Sequence, residues 1–126
     1  MIKHILLVGL GGGIGSIGRY LCQRWFASQV LHPIPWATFS VNIVGCFAIG
    51  ILWALSFRSF DENENWKLFL MTGLCGGFTT FSAYALHAVR LLEQGFMRPA
   101  ILSFVLSPIF GLIAIMAGMA AAKVRG

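Results

Sequence analysis

Residues 73–85, GLCGGFTTFSAYA, decide how this chain folds, because they interrupt what would otherwise be one long apolar helix. Three glycines open the stretch, and each glycine inside a helix costs about 1 kcal/mol relative to alanine. Three hydroxyl residues follow, and their side chains compete with the helix for backbone hydrogen bonds. We therefore predict a break in the helix here. Within a membrane, such a break persists only where protein buries it or water lines it, so the stretch is a candidate site.

The same stretch has a simpler interpretation. Gly73 and Gly77 form a GxxxG pair, a spacing that lets two membrane helices approach closely. On this interpretation the stretch is a packing surface and binds nothing. The residues of the stretch alone leave both interpretations open.

The composition of the chain places it in a membrane. Of its 126 residues, 58% are hydrophobic and only 10% are charged, against about 25% charged in soluble domains. A soluble domain of this size could not bury so much apolar surface. The basic residues behind the net charge of +5 are scattered singly. They therefore fit the ends of membrane helices and do not indicate nucleic-acid binding.

We predict a single all-α integral membrane domain with four spans, the third broken near its middle. The spans cover residues 4–26, 36–57, 66–92 and 99–122, each close to the length that crosses a bilayer. Residues 13–18, GIGSIG, also match a dinucleotide-binding fingerprint, but the first acid after them is Asp61, much later than that motif requires. The glycines of the first span are better explained by close helix packing.

Polar residues inside the spans are candidate functional residues, because such residues are costly in a membrane. Asn42, in the second span, either bridges two helices or points an amide N–H at a ligand. Arg19, in the first span, either snorkels to the interface or faces an aqueous vestibule.

The fourth span carries a stripe of small and polar residues. Ser103, Ser107 and Gly111 recur every four residues, which is typical either of close packing or of a polar track along a pore. Pro108 is expected to kink this span and to free the backbone carbonyl of Phe104 from its helical hydrogen bond.

The distribution of charge gives almost no preference for one orientation. With four spans, both termini and the middle loop share one side of the membrane, which carries five Lys and Arg residues against four on the other. Orientation follows this bias, so we expect the chain to insert both ways. Two oppositely oriented copies can then pair about a two-fold axis in the membrane plane, a geometry that suits a site near the midplane.

Three runs together resemble the Fluc (CrcB) family of fluoride channels: GGGIGSIGRY at 11–20, TFSVNIVG at 38–45 and GLCGGFTTFSAY at 73–84. The resemblance covers essentially the whole chain. It implies a passive fluoride channel rather than an enzyme, located in the cell (inner) membrane and exporting fluoride to relieve its toxicity. It also implies an antiparallel, dual-topology homodimer with two pores and a sodium ion buried at its centre.

The resemblance further implies roles for individual residues. Backbone carbonyls of Gly76 and Thr79 from both subunits would hold the sodium ion. The ion pathway would include Asn42, Phe81, Tyr84, Ser82, Ser107 and Arg19. Tyr84 stands where the family usually has Phe, and Ser103 stands where a tyrosine is common. Ala83 and Ala85 replace hydroxyl residues often found there, so we expect a thinner polar track.

Two other classes of protein compete with this one. A small multidrug exporter also has four spans and weak charge bias, but it needs a carboxylate inside the membrane to exchange protons for a drug. All four acids of this chain lie in predicted loops or at span ends, which argues against an exporter. A structural membrane subunit without transport is the third alternative, and it requires the central stretch to be packing alone.

Overall fold

The computed structural model describes residues 1–29, 36–56 and 64–125, and every regular element within these ranges is helical. Helix α1 is Ile2–Gln29 and helix α2 is Trp36–Ser56. The third span consists of α3 (residues 64–78) and α4 (Ser82–Glu93), and α5 is Met97–Arg125. Several residues used in the sequence predictions lie outside the described ranges, namely Phe57, Arg58, Asp61 and Glu62.

Four segments are long and apolar enough to cross a membrane: Ile2–Trp25, Thr38–Leu55, Asn65–Glu93 and Met97–Ala122. The predicted break in the third span is confirmed. The backbone leaves the helix at Thr79, where φ is −87° and ψ is 155°, and the helix resumes at Ser82.

Most of α3 is π-helical, a feature that the sequence did not predict. The π-helical section is Leu68–Cys75, between α-helical turns at Glu64–Lys67 and Gly76–Phe78. At its end the N–H of Gly76 reaches back to the carbonyl of Met71, five residues earlier. Such wide turns are rare in proteins, and those that occur are often found at functional sites. This one leads directly into the break.

Glycines of α1 bring its backbone against α3. An added Cβ at Gly11 or at Gly15 would collide with a backbone carbonyl of α3, whereas Gly9 and Gly13 have no atom within 4 Å of theirs. Helix α1 contains two overlapping GxxxG spacings, Gly9/Gly13 and Gly11/Gly15, and only the second packs against α3.

The glycines of the central stretch divide between packing and exposure. An added Cβ at Gly77 would collide with the carbonyl of Gly12, and one at Gly73 would lie 3.0 Å from α1 backbone atoms. The packing interpretation is therefore correct for these two glycines. Gly76, in contrast, is exposed, and its added Cβ would meet nothing closer than the Met71 carbonyl at 3.8 Å. Packing does not explain the glycine at that position.

Helix α5 packs along α2. A Cβ at Gly118 would collide with the Phe47 carbonyl, and one at Gly50 would collide with the Ile115 carbonyl. Of the predicted stripe, Ser103 and Gly111 are buried and Ser107 is half-buried; small residues further along the same helix, Ala114, Gly118 and Ala122, are buried as well. The stripe therefore serves mainly as a packing surface, and Ser107 is its exception.

Candidate functional site

The break between α3 and α4 is braced by Asn42 of α2. Its side-chain Nδ2 donates to the carbonyl of Thr80 at 3.0 Å, and its Oδ1 accepts from the N–H of Thr80 at 2.8 Å. Both ends of one amide thus bond the backbone of one residue. An asparagine amide carries two N–H groups, and one of them takes no part in these two bonds.

The break deprives several carbonyls of their helical donors, and those of Gly76 and Thr79 are among them. In a continuous helix the N–H of Thr80 would donate to Gly76 and the N–H of Ala83 to Thr79. Here the N–H of Thr80 donates to Asn42, and the N–H of Ala83 donates to the Thr80 hydroxyl at 3.3 Å. The carbonyls that lose their donors include the two that the resemblance assigns to sodium; those of Gly77 and Phe78 lose theirs as well, since no backbone N–H from Phe81 or Ser82 bonds them.

The side chain of Thr79 is committed to its own helix. Its hydroxyl donates to the Cys75 carbonyl at 2.9 Å, and its N–H donates to the same oxygen at 3.0 Å. Its methyl group lies against Gly45 of α2, where an added Cβ would collide with it. The carbonyl is therefore the polar group that Thr79 can offer to a ligand.

A groove of about 670 Å³ opens beside the break. We call it the polar groove. It lies between α2, the broken third span and α5, and six of the predicted site residues line it: Asn42, Gly76, Thr79, Phe81, Tyr84 and Ser107. Ser82 and Arg19 are not among its lining residues.

The two aromatic residues of the site occupy different depths. Phe81 is 68% exposed and Tyr84 only 4% exposed. The two rings meet edge-on, with centroids 5.6 Å apart and planes at 64°. Aromatic edges are positive, so the exposed ring of Phe81 can present an edge to an anion, while Tyr84 forms part of the wall behind it.

The hydroxyl of Tyr84 is held by the backbone of α5. It donates to the carbonyl of Phe104 and lies 3.4 Å from the carbonyl of Ser103. The Phe104 carbonyl is the one that Pro108 leaves without a helical donor, since proline has no N–H to donate four residues back. Tyr84 therefore supplies the donor that the proline removes.

Three further predicted residues present polar atoms in different settings. The Ser107 hydroxyl is buried beside the hydroxyl of Tyr84, and no hydrogen bond of good geometry reaches it within the described residues. The Nε atom of Arg19, a half-buried side chain on α1, likewise has no hydrogen-bond partner there. Ser82 is exposed, and its hydroxyl lies 3.3 Å from that of Thr80.

A second polar cluster was missed by the sequence analysis. The Thr38 side chain is fully buried, and its hydroxyl lies 3.3 Å from Nε2 of Gln23 and 3.3 Å from Nδ1 of His87. Thr38 lies four residues before Asn42 and His87 three residues after Tyr84, spacings that place each pair on one helix face. That spacing was the available signal. His87 is half-buried, and its ring lies against Thr38 of α2.

Taken together, these features define a class of protein. A broken membrane helix, braced by side chains and flanked by a groove with unpaired donors, is typical of small channels and transporters, which allow irregular backbone only where it lines a cavity. The model of the CrcB-like protein family, Camphor Resistance (CrcB), matches residues 6–119. The chain belongs to this family, and the predicted resemblance is confirmed.

Curated relatives agree over most of the chain. A protein of Azobacteroides pseudotrichonymphae genomovar. CFP2 is 41% identical over 118 residues, covering 94% of each chain. One from Rhizobium meliloti (strain 1021) is 40% identical over 119 residues, covering 94% of this chain and 95% of its own. Both are named fluoride-specific ion channel FluC. The four segments long and apolar enough to span a membrane, together with these relatives, make this chain a multi-pass protein of the cell membrane, and its family is one of ion channels and not of enzymes.

Proposed function

We propose that this chain conducts fluoride passively and selectively across the cell membrane and thereby relieves fluoride toxicity. The observation that carries the proposal is the convergence of six predicted site residues on the polar groove. Fluoride is small and strongly hydrated, so a pore must replace its water with donors. Asn42 and Ser107 both line the groove, and we propose that the second N–H of Asn42 and the hydroxyl of Ser107 are among these donors.

The absence of acids from the groove favours conduction over proton-coupled export. The only acid within the four spanning segments is Glu93, the last residue of the third. An exporter that exchanges protons for a cation needs a carboxylate at the substrate site, and none lines the groove. The exposed edge of Phe81 can stabilise an anion without any proton transfer.

A second copy in the opposite orientation completes the proposed channel. The nearly equal numbers of basic residues on the two sides support insertion both ways. Around the break, Phe81 is 68% exposed and Gly76 is exposed. An antiparallel partner would cover these two residues and close the open side of the groove.

A sodium ion between the two copies would be held by the carbonyls of Gly76 and Thr79 from each. Hard cations take oxygen ligands, and both carbonyls have lost their helical donors. Within the described residues no three His, Cys, Asp or Glu side chains come together to hold a metal, so backbone oxygens are the ligands that fit a cation here. A bound cation would offset the cost of leaving these carbonyls unpaired in a membrane.

Reconstitution into liposomes tests the function. Protein in vesicles loaded with fluoride and chloride should release fluoride rapidly, measured with a fluoride electrode, and should retain chloride. Release should need no proton or drug gradient. Comparable chloride flux, or a requirement for a proton gradient, would contradict selective passive conduction. A chain that moves no anion would instead be the structural subunit considered above.

A further inference from the structure

We propose that His87 makes anion conduction by this chain sensitive to pH, because protonation of its ring places a positive charge beside one entrance of the polar groove. This inference rests on the proposed fluoride conduction. It concerns the polar cluster of Gln23, Thr38 and His87, which has no part in the ion contacts proposed above.

The cluster lies between the polar groove and one face of the membrane. Asn42 bonds Thr80 and Thr38 lies beside His87, so α2 and the third span run in opposite directions. One helical turn from Asn42 to Thr38 and the three residues from Tyr84 to His87 therefore lead toward the same face. Asn42 and Tyr84 both line the groove. An anion that enters the groove from this face passes within about one helical turn of the His87 ring.

The same partners can hold His87 in either charge state. The Nε2 atom of Gln23 donates to the Thr38 hydroxyl at 3.3 Å, and Nδ1 of His87 lies 3.3 Å from the same oxygen. A hydroxyl has one hydrogen to donate and two lone pairs that accept. Thr38 can therefore donate to a neutral His87, or accept from a protonated one while it still accepts from Gln23. Protonation reverses at most one hydrogen bond and leaves the cluster in place.

No carboxylate on the described neighbouring helices balances a charge at this position. Helices α1, α2 and α5 contain no Asp or Glu, and Glu93, six residues along α4, is exposed. Arg90 lies on the same helix as His87, and its charge acts on the ring. The other titratable side chains at this level are Arg19, Tyr20, Cys22 and Arg24 on α1 and Arg98 on α5, while α2 has none before Cys46.

A positive charge without an acidic partner attracts anions and speeds their entry into a cleft. An ordinary histidine titrates near pH 6.5, so His87 is the group in this cluster whose charge can change between mild acid and mild base. A unit charge about one turn from the path of the ion should raise flux about two- to fivefold.

The first test measures fluoride efflux from liposomes with the same pH on both sides, at about pH 5 and about pH 8, on either side of the ordinary histidine value. Protein-free vesicles at each pH give the leak of hydrogen fluoride, which is subtracted. The parent should conduct faster in acid. His87→Gln keeps a partner for Thr38 but cannot become charged, so it should match the parent at the higher pH and show no rise in acid. His4→Gln, at an exposed position of α1, is the matched control and should keep the rise.

The second test observes the protonation of His87 directly. Nuclear magnetic resonance of the parent, labelled with nitrogen-15 in its histidine rings, follows each ring across the same pH range, and the His87 signals are those missing from His87→Gln. The midpoint of the His87 titration should coincide with the midpoint of the rise in flux. If His87→Gln does not fold, His87→Asn provides the same uncharged comparison.

Equal flux of the parent in acid and in base would overturn the inference while leaving the proposed function intact. A rise in flux that persists in His87→Gln, or that occurs while the His87 ring stays neutral, would assign the effect to another group and also overturn it. A parent that moves no fluoride at either pH would overturn the proposed function and this inference with it.

Discussion

Replacing Asn42 separates the brace that its side-chain amide forms in the structure from the ion contact proposed for the same amide. One N–H and the carbonyl oxygen of the Asn42 side chain brace Thr80, and the second N–H is proposed to face the ion. Asn42→Asp preserves the shape of the side chain. An ionised carboxylate at mid-membrane costs about 2.5–3.5 kcal/mol on insertion scales, less than the roughly 4 kcal/mol needed to protonate an ordinary aspartate at pH 7, so the unfolding comparison is made near pH 5, where the introduced carboxyl should be mostly protonated. A protonated carboxyl has a single O–H donor.

The size of the effect follows from the two hydrogen bonds. In Asn42→Asp, the single O–H of the neutral carboxyl can donate to the Thr80 carbonyl, and its other oxygen can accept from the Thr80 N–H. The brace is then kept, and stability should fall by no more than about 1 kcal/mol. Asn42→Ala loses both bonds, each contributing about 1 kcal/mol, and leaves Thr80 unpaired, so it should lose about 2 kcal/mol or more.

Two measurements on the same preparations check this reasoning. Fluoride efflux should be abolished in both variants, because neither retains a donor beyond the brace. Thermal unfolding should rank the parent first, Asn42→Asp slightly lower and Asn42→Ala well below. Parental flux in Asn42→Asp would refute the donor role, and parental stability in Asn42→Ala would refute the brace.

The remaining predictions concern packing, the aromatic edge, the cation and orientation. Gly11→Ala should destabilise the fold by about 1–3 kcal/mol, the usual cost of overpacking. Gly13→Ala should not, because there is open space at its Cβ. Thermal unfolding of the two variants measures the difference. Phe81→Ile keeps apolar bulk without a polarised edge, and it should lose most fluoride flux yet assemble as a dimer by native mass measurement. Thr79→Ser keeps both the backbone carbonyl and a hydroxyl that can reach Cys75, so flux and dimer stability should stay sodium-dependent; loss of that dependence would count against carbonyl ligation. Adding three lysines to one end should force a single orientation, seen with C-terminal tags accessible from one side only, and should reduce flux.

Much of the architecture could be predicted because membrane physics leaves few choices. Spans of apolar residues must be helical, and the glycines and hydroxyl residues at 73–82 are unfavourable for a regular helix. The break at Thr79 and the freed carbonyl of Phe104 followed from these local rules. Both depend only on the residues within a few positions along the chain.

What sequence did not predict depends on contacts between helices. The π-helical section Leu68–Cys75 carries no compositional signal, because its apolar residues would fit an α-helix equally well. The fit of Gly11 and Gly15 against α3 involves neighbours about 60 residues away in the chain. For Asn42, two alternatives were open from sequence. The structure shows directly that Asn42 bridges two helices. One N–H of its amide takes no part in the bridge and remains for the other alternative, contact with a ligand.

The two helix interruptions in this fold, the break in the third span and Pro108 in α5, are stabilised in the same way. Each break frees backbone groups that a membrane leaves without water, and a side chain from another helix satisfies them. Asn42 bonds Thr80 at the break in the third span, and Tyr84 bonds Phe104 at the proline of α5. At the first break this pairing is incomplete: the Thr80 backbone is fully paired, whereas the carbonyls of Gly76, Phe78 and Thr79 stay without their helical donors. The proposed cation would pair two of these oxygens, those of Gly76 and Thr79, and sodium-dependent stability is the measurement that would show it.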